Sequence, residues 1–353
     1  MPPSRLAYLD NLRVGLIALV IAHHVGQAYG PTGGSWPIQE AARAALLGPF
    51  FTVNRSFFMS LFFLVAGYFT VSACDARGPA AFARGRLLRL GVPVLVWGLV
   101  LIPLRVFVFA PAGQRGPVLP IDVGHLWFLE HLLLFSVGYA LWRHVRRHRA
   151  RPRPAGPPRT AAMVAAALVL AVVSGVIRHW FPIDRWVHLL WFFQVAFADV
   201  PRDLGFFIIG LLAGRNRWFE SFPARAGWRW LGVGVAASAC WYAYALWLGR
   251  LLPLSGVAYS IVYPLWEELV CFGMSIGLVV LFRETLNRAG RLLTALGRAQ
   301  YAAYILHLPV VVGFHAAALR LPLPSLAKFA LVTLLAVPVT FLISHWVRRP
   351  LHL

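Results

Sequence analysis

Charge is what this sequence has least of. Only 13% of its 353 residues are Asp, Glu, Lys or Arg, whereas soluble domains carry about a quarter. Hydrophobic residues make up 59%, and the mean hydropathy is +0.70. This balance excludes an ordinary soluble globule and fits a polytopic membrane protein. Acidic residues are scarcest, 12 against 33 Lys and Arg. Such an excess on one surface would point to nucleic acid. Here the basic residues lie between apolar runs, so no nucleic-acid partner is expected. Gly/Ser linkers, repeats of fixed period and any polar stretch able to form a soluble domain are lacking too, which implies one membrane domain over residues 1–353. Cysteines number three, Cys74, Cys240 and Cys271, and none forms a C-x-x-C pair. They read as apolar thiols, and they identify no compartment.

What the sequence has in plenty is runs of apolar residues near the length that crosses a bilayer, about 20 per helix. Ten spans are expected: Leu12 to Tyr29, Phe57 to Ala73, Leu90 to Ala110, Gly124 to Trp142, Ala161 to Trp180, Asp203 to Gly214, Trp230 to Leu248, Ala258 to Phe282, Ala299 to Leu319 and Leu326 to Val347. The fold class is therefore all-α, a polytopic membrane helix bundle. The sixth span is short, and its start is uncertain, because Asp199, Pro201, Arg202 and Asp203 separate two apolar halves there. The first span differs from a signal peptide: Asp10 precedes it, and paired histidines interrupt its far end. It is expected to be retained. Most Lys and Arg fall in alternate loops, which places both termini in the cytoplasm of a bacterial inner membrane. The richest loop, "WRHVRRHRARPRPAGPPRT", reads as a topology anchor that touches anionic membrane lipid. His144 and His148 have helical spacing there, but the arginines around them disfavour a cation, and no metal is expected.

The first span, "YLDNLRVGLIALVIAHHVGQAYG", is the most informative. At about 100° per residue, Asp10, Arg13, Ile17 and His24 share one narrow stripe, and His23 points roughly 140° away from Asp10. A rise of about 1.5 Å per residue sets His24 some 21 Å beyond Asp10. Ionisable groups at mid-membrane cost about 2.5 to 3.5 kcal/mol each, so they face a partner or a cavity.

This stretch resembles the first-helix signature of the integral-membrane acyltransferase-3 family, which includes bacterial O-acyltransferases acting on cell-surface glycans. The family pattern is L-D-x-L-R, an apolar run, and a His at the position of His24. The resemblance continues in order through "NRSFFMSLFFLVAGYFT", "RGRLLRLGVPVLVW", "GHLWFLEHLLLFS", "DLGFFIIGLLAGRNRWF" and "LGRAQYAAYILHLPVV". Within the family it is nearest to the branch implicated in succinylating periplasmic glucans. The resemblance implies transfer of an acyl group, often acetyl or succinyl, from a coenzyme A thioester to a hydroxyl outside the membrane. Acyl-CoA would be a donor substrate, with no cofactor permanently bound, and the acceptor a glycan or other hydroxyl compound. His24 is then the expected base, a role that suits a neutral imidazole near pH 7, and an acyl-histidine is the open alternative.

Asp10 and Arg13 belong to the same expected catalytic set as His24, together with Glu130, which needs a proton or a cation such as Arg13 beside it in lipid. Glu267 joins them in preference to Glu268, since adjacent carboxylates point about 100° apart. Arg84, Arg86 and Arg89 are expected to hold the donor's phosphates, because guanidinium pairs well with phosphate oxygens and the family has an R-x-x-R there. His307 resembles a recurring family histidine, and equally suits capping of a helix kinked at Pro309. "GPTGGSWPIQE" reads as an irregular loop near His24. Two rival classes stay open from sequence: a proton-coupled transporter or flippase, and a scaffold or sensor. Oligomeric state is not readable.

Overall fold

Backbone polar groups in lipid must be satisfied within their own segment, and long apolar runs therefore become helices. The computed structural model describes residues 6–31, 36–103, 123–146 and 154–348. The helices are α1 (Ala7–Gly26), α2 (Leu47–Arg77), α3 (Pro79–Arg86), α4 (Val92–Pro103), α5 (Trp127–Val145), α6 (Thr160–Trp180), α7 (Val200–Asn216), α8 (Trp218–Ser221), α9 (Ala224–Leu246), α10 (Gly256–Thr285), α11 (Arg291–Ala318) and α12 (Ser325–Val347). Among the described residues, each of the ten expected spans overlaps a helix. Among the described residues, α1, α2, α6, α10, α11 and α12 are long and apolar enough to cross a membrane. The others are shorter or more polar; α7 has 17 residues. The architecture is that of a nearly all-α, multi-pass membrane protein. The end of the third span, the residues of the arginine-rich loop from 147 to 153 with His148, and loop positions 32–35 lie outside the described residues.

The uncertain start of the sixth span resolves as strand. A short antiparallel hairpin, β1 (Val187–Leu189) and β2 (Phe193–Val195), pairs Val187 with Val195 and Leu189 with Phe193. Helix α7 begins only at Val200, with Pro201 in its first turn, where the absent N–H costs nothing.

The chain forms two compact units. The first comprises residues 1–58, 223–259 and 269–353; the second comprises 59–222 and 260–268. In the first unit, α1 packs on α11 and α12, which pack on each other. Asn11 near the start of α1 donates from Nδ2 to the carbonyls of Leu286 (2.6 Å) and Arg288 (3.1 Å), supplying partners at the end of α10. Helices α9 and α10 meet backbone to backbone. A Cβ on Gly234 would lie 2.7 Å from the Met274 nitrogen, and one on Gly277 would lie 2.5 Å from the Leu231 Cα.

The second unit uses the same device between α2 and α7. Cβ atoms on Gly67, Gly210 and Gly214 would strike the carbonyl oxygens of Phe207, Leu64 and Tyr68, respectively. Small residues at such crossings replace the hydrophobic drive that lipid does not provide. Helix α3 continues into α4 through a π-helical turn, Leu87–Gly91, which contains Arg89. Such widened turns are frequent at functional sites.

Candidate active site

In the first unit α1 presents its two histidines to different surroundings. His23 lies among three phenylalanines, with ring centroids 5.1 Å from Phe51, 5.1 Å from Phe58 and 6.3 Å from Phe50. His24 stacks on the indole of Trp36, 5.6 Å away at an interplanar angle of 19°, and lies 4.9 Å from the ring of His307 on α11. The Nδ1–H of His307, which is fully buried, donates to the Tyr304 carbonyl at 2.7 Å. In a neutral ring that bond makes Nε2 the accepting nitrogen. A second buried histidine of α11, His315, accepts from Trp36 Nε1–H at its Nδ1 (3.0 Å) and donates from Nε2–H to the Val25 carbonyl (3.0 Å). The indole on His24 is thereby anchored to a ring that is itself bonded to the backbone next to His24.

Loop residues after Trp36 are tied to the same unit. Lys328 on α12 pairs with Glu40 at 2.5 Å, and Arg43 donates to the Gly30 carbonyl at 3.3 Å. The region around His24 is thus ordered by ion pair and hydrogen bond rather than left to loop chemistry alone. Asp10 and Arg13 form an ion pair with each other at 3.4 Å, one turn apart, near the opposite end of α1.

The second unit holds Glu130 and Glu267. Glu130, in the first turn of α5 and buried, accepts from the backbone N–H of Gln194 in β2 at 3.0 Å. Its carboxylate thus holds the hairpin to α5. Glu267, fully buried, lies between two guanidinium groups, Arg178 at 2.6 Å and Arg202 at 2.5 Å. Both arginines also reach Asp199 at 3.4 Å. Arg202 donates from Nε to Ser60 Oγ (3.0 Å), whose hydroxyl donates to Asp203 (2.6 Å). Glu268 is also buried, and among the described residues its carboxyl has no hydrogen-bond partner.

Of the three arginines expected to hold donor phosphates, Arg86 lies over the Phe82 ring at 5.1 Å and reaches Thr70 Oγ1 at 3.5 Å, while Arg84 and Arg89 are exposed. The structure therefore gathers His24 with His307, Asp10 with Arg13, and Glu267 with a set of arginines and aspartates. Sequence reasoning missed His315 and the pairing of Arg178, Arg202 and Asp199. The available signal was cost, since each is an ionisable group inside or beside an apolar span. Most of the partners lie far away in sequence, His315 from Trp36 and both arginines from Glu267, although Asp199 and Arg202 are three residues apart.

The model of the acyltransferase domain known as acyltransferase-3 matches residues 6–345. Among curated proteins the chain is similar to "Glucans biosynthesis protein C" of Salmonella schwarzengrund and of Salmonella typhi. Each is 27% identical over 172 residues, which is 44% of this chain and 44% of the relative's own length. No solved structure gives a significant match. With a family match running through α1, α11 and nearly all that lies between and beyond them, the chain belongs to the acyltransferase-3 family.

Proposed function

We propose that the protein is a membrane O-acyltransferase that moves an acyl group, such as acetyl or succinyl, from acyl-CoA to a hydroxyl of an extracytoplasmic glycan. The observation that carries this reading is the placement of His24, an imidazole in a membrane-crossing helix, stacked on Trp36 and beside His307. The names of the similar Salmonella proteins support a glucan-like acceptor. In the reaction the acceptor oxygen attacks the thioester carbonyl while His24 takes the hydroxyl proton. The tetrahedral intermediate then expels coenzyme A, and His24 returns the proton to the departing sulfur. His307, with Nε2 as its accepting nitrogen, orients His24 or shares its proton.

Asp10 and Arg13 stand about 16 to 21 Å along α1 from His24 by helical rise, so they act at the far end of the helix and not on the reacting atoms. Arg84, Arg86 and Arg89 form the donor side, where guanidinium groups meet phosphate. Glu130 and Glu267 position their surroundings: one holds the hairpin and the other neutralises two arginines. The distribution of basic residues supports both termini on the cytoplasmic side of an inner membrane.

Transport is the second reading, and the buried network of Arg178, Arg202, Asp199 and Glu267 is the observation that favours it, since such groups also build proton and substrate paths. Purified protein in detergent, given acyl-CoA and a glucan, separates the two. Covalent acylation seen by mass spectrometry, with no second compartment present, supports transfer. Gradient-driven uptake into vesicles without a product supports transport.

A further inference from the structure

Helix α1 has glycine at position 15, in mid-span, although glycine is a poor helix former. Gly234 and Gly277 of the same unit are demanded by touching backbones. Gly15 is not: the nearest atom to a Cβ placed there is the Phe282 ring at 3.4 Å, ordinary contact. What Gly15 leaves is space. It lines a groove of about 450 Å³ with Leu16 and Leu19 of α1, Phe57 of α2, Val235 of α9 and Met274 of α10. This volume is within the usual range for small-molecule sites, about 300 to 1,000 Å³.

The wall is apolar except at two side chains. Ser238 donates to the Gly234 carbonyl of its own helix at 2.7 Å. Asn54, 5% exposed, has no hydrogen-bond partner for its amide nitrogen among the described residues. An amide offers two N–H donors, and leaving them unmet in apolar surroundings is unfavourable. A single trapped water would meet the Asn54 amide and, at most, the Ser238 oxygen, and would leave the apolar length of the groove unfilled.

Three of the four helices around the groove, α1, α2 and α10, are among those able to cross a membrane, so its natural surroundings are hydrocarbon. Gly15 and Val235 are exposed and leave a lateral opening between α1 and α9. Along α2, Asn54 stands between Phe51 and Phe58, both of which contact His23. It therefore marks the end of the groove nearest His23. Leu12 and Phe282 line the other end, about 10 Å along α1 from Leu19 by helical rise. The required occupant is long, apolar and single-stranded, enters from the bilayer, and carries one acceptor oxygen at one end.

We propose that the groove binds one acyl chain of a membrane glycerolipid, laid along Leu19, Leu16 and Gly15, with its ester carbonyl oxygen accepting from Asn54 Nδ2. This assignment stands apart from acyl transfer and holds whatever the reaction at His24.

The test uses the full chain in vesicles of phosphatidylethanolamine and phosphatidylglycerol, doped with a phosphatidylcholine that bears a diazirine in mid-chain. After irradiation, peptides containing Leu16 and Met274 should be labelled well above the lipid-facing peptide of α6 that contains Val169 and Val172. Gly15→Phe should bring groove labelling down to the α6 level and leave α6 labelling unchanged, which also reports correct insertion. Asn54→Leu should lower groove labelling by roughly 2- to 12-fold, as loss of one hydrogen bond predicts, and a diether probe on the unaltered protein should do the same. Groove labelling no higher than α6, or labelling indifferent to Gly15→Phe, overturns the site. Equal labelling by ester and ether probes overturns the role given to Asn54.

Discussion

The two buried polar clusters, one in each unit, are built on opposite rules. Around His24 the groups are rings: two further imidazoles and an indole, joined by two neutral hydrogen bonds of 3.0 Å and one of 2.7 Å. Around Glu267 the groups are charges, two guanidiniums and two carboxylates at 2.5 to 3.4 Å. A neutral imidazole can take and return a proton at little cost near pH 7. A carboxylate shared by two arginines resists any change of charge, because removing one partner leaves the others buried and uncompensated. The first cluster is suited to turnover, the second to holding helices in place, and the difference can be attacked from both sides.

The largest expected effect is at His24. General-base catalysis is worth about 10²- to 10⁴-fold, so His24→Ala should lower kcat by at least about 100-fold at wild-type insertion, while His23→Ala, whose ring packs on phenylalanines and meets His24 edge-on at 6.0 Å, should cost far less. A collapse in His23→Ala with survival in His24→Ala would reverse the assignment. Next is Glu267→Ala. Breaking a buried pair costs about 3 to 5 kcal/mol, so the variant should melt well below wild type in detergent, while the fraction that stays folded keeps most of its turnover. Lost turnover at unchanged thermal stability would move Glu267 into the chemistry.

On the donor side, Arg86→Ala or Arg89→Ala should raise the KM for acyl-CoA by roughly 10- to 150-fold, the equivalent of about 1.5 to 3 kcal/mol, and leave that for the acceptor nearly unchanged. Steady-state kinetics with both substrates varied would show it, and an equal rise for both would return the arginines to topology. The smallest effect is at Trp36→Phe, which keeps a ring on His24 but removes the donor to His315. About 0.5 to 1.5 kcal/mol, a few-fold in kcat, is expected. His315→Ala, which also removes the bond to the Val25 carbonyl, should cost somewhat more, and the two should add less than fully when combined, because they share the bond to Trp36.

The helical, multi-pass architecture was legible because apolar runs of spanning length leave the backbone little choice. The stripe containing Asp10 and Arg13 was equally legible from spacing, and the structure gives them their ion pair. Periodicity also separated His23 from His24. It could not say that the ring beside His24 would come from position 307, or that Trp36 would be held by His315, because those contacts link residues 279 or more positions apart. Glu130 shows the same limit. Its carboxylate suggested a proton or a cation beside it, and spacing did not show that the Gln194 backbone N–H would also reach it, made available because "HLLWFFQV" turns back as a hairpin rather than continuing as helix. Short strands among bulky apolar residues carry no periodic signal that separates them from a buried helix.

Asn11 has a consequence in time. Its two acceptors lie 275 and 277 residues downstream, and a chain made at about 5 to 20 residues per second reaches them roughly 15 to 55 s after Asn11 itself. The helix that carries His24 is among the first segments synthesised, yet its amide has to wait for the end of α10, and Val25 for His315 beyond that. Throughout that interval α1 depends on lipid or on the insertion machinery, and a nascent chain stalled before Leu286 would hold it with these contacts unmade.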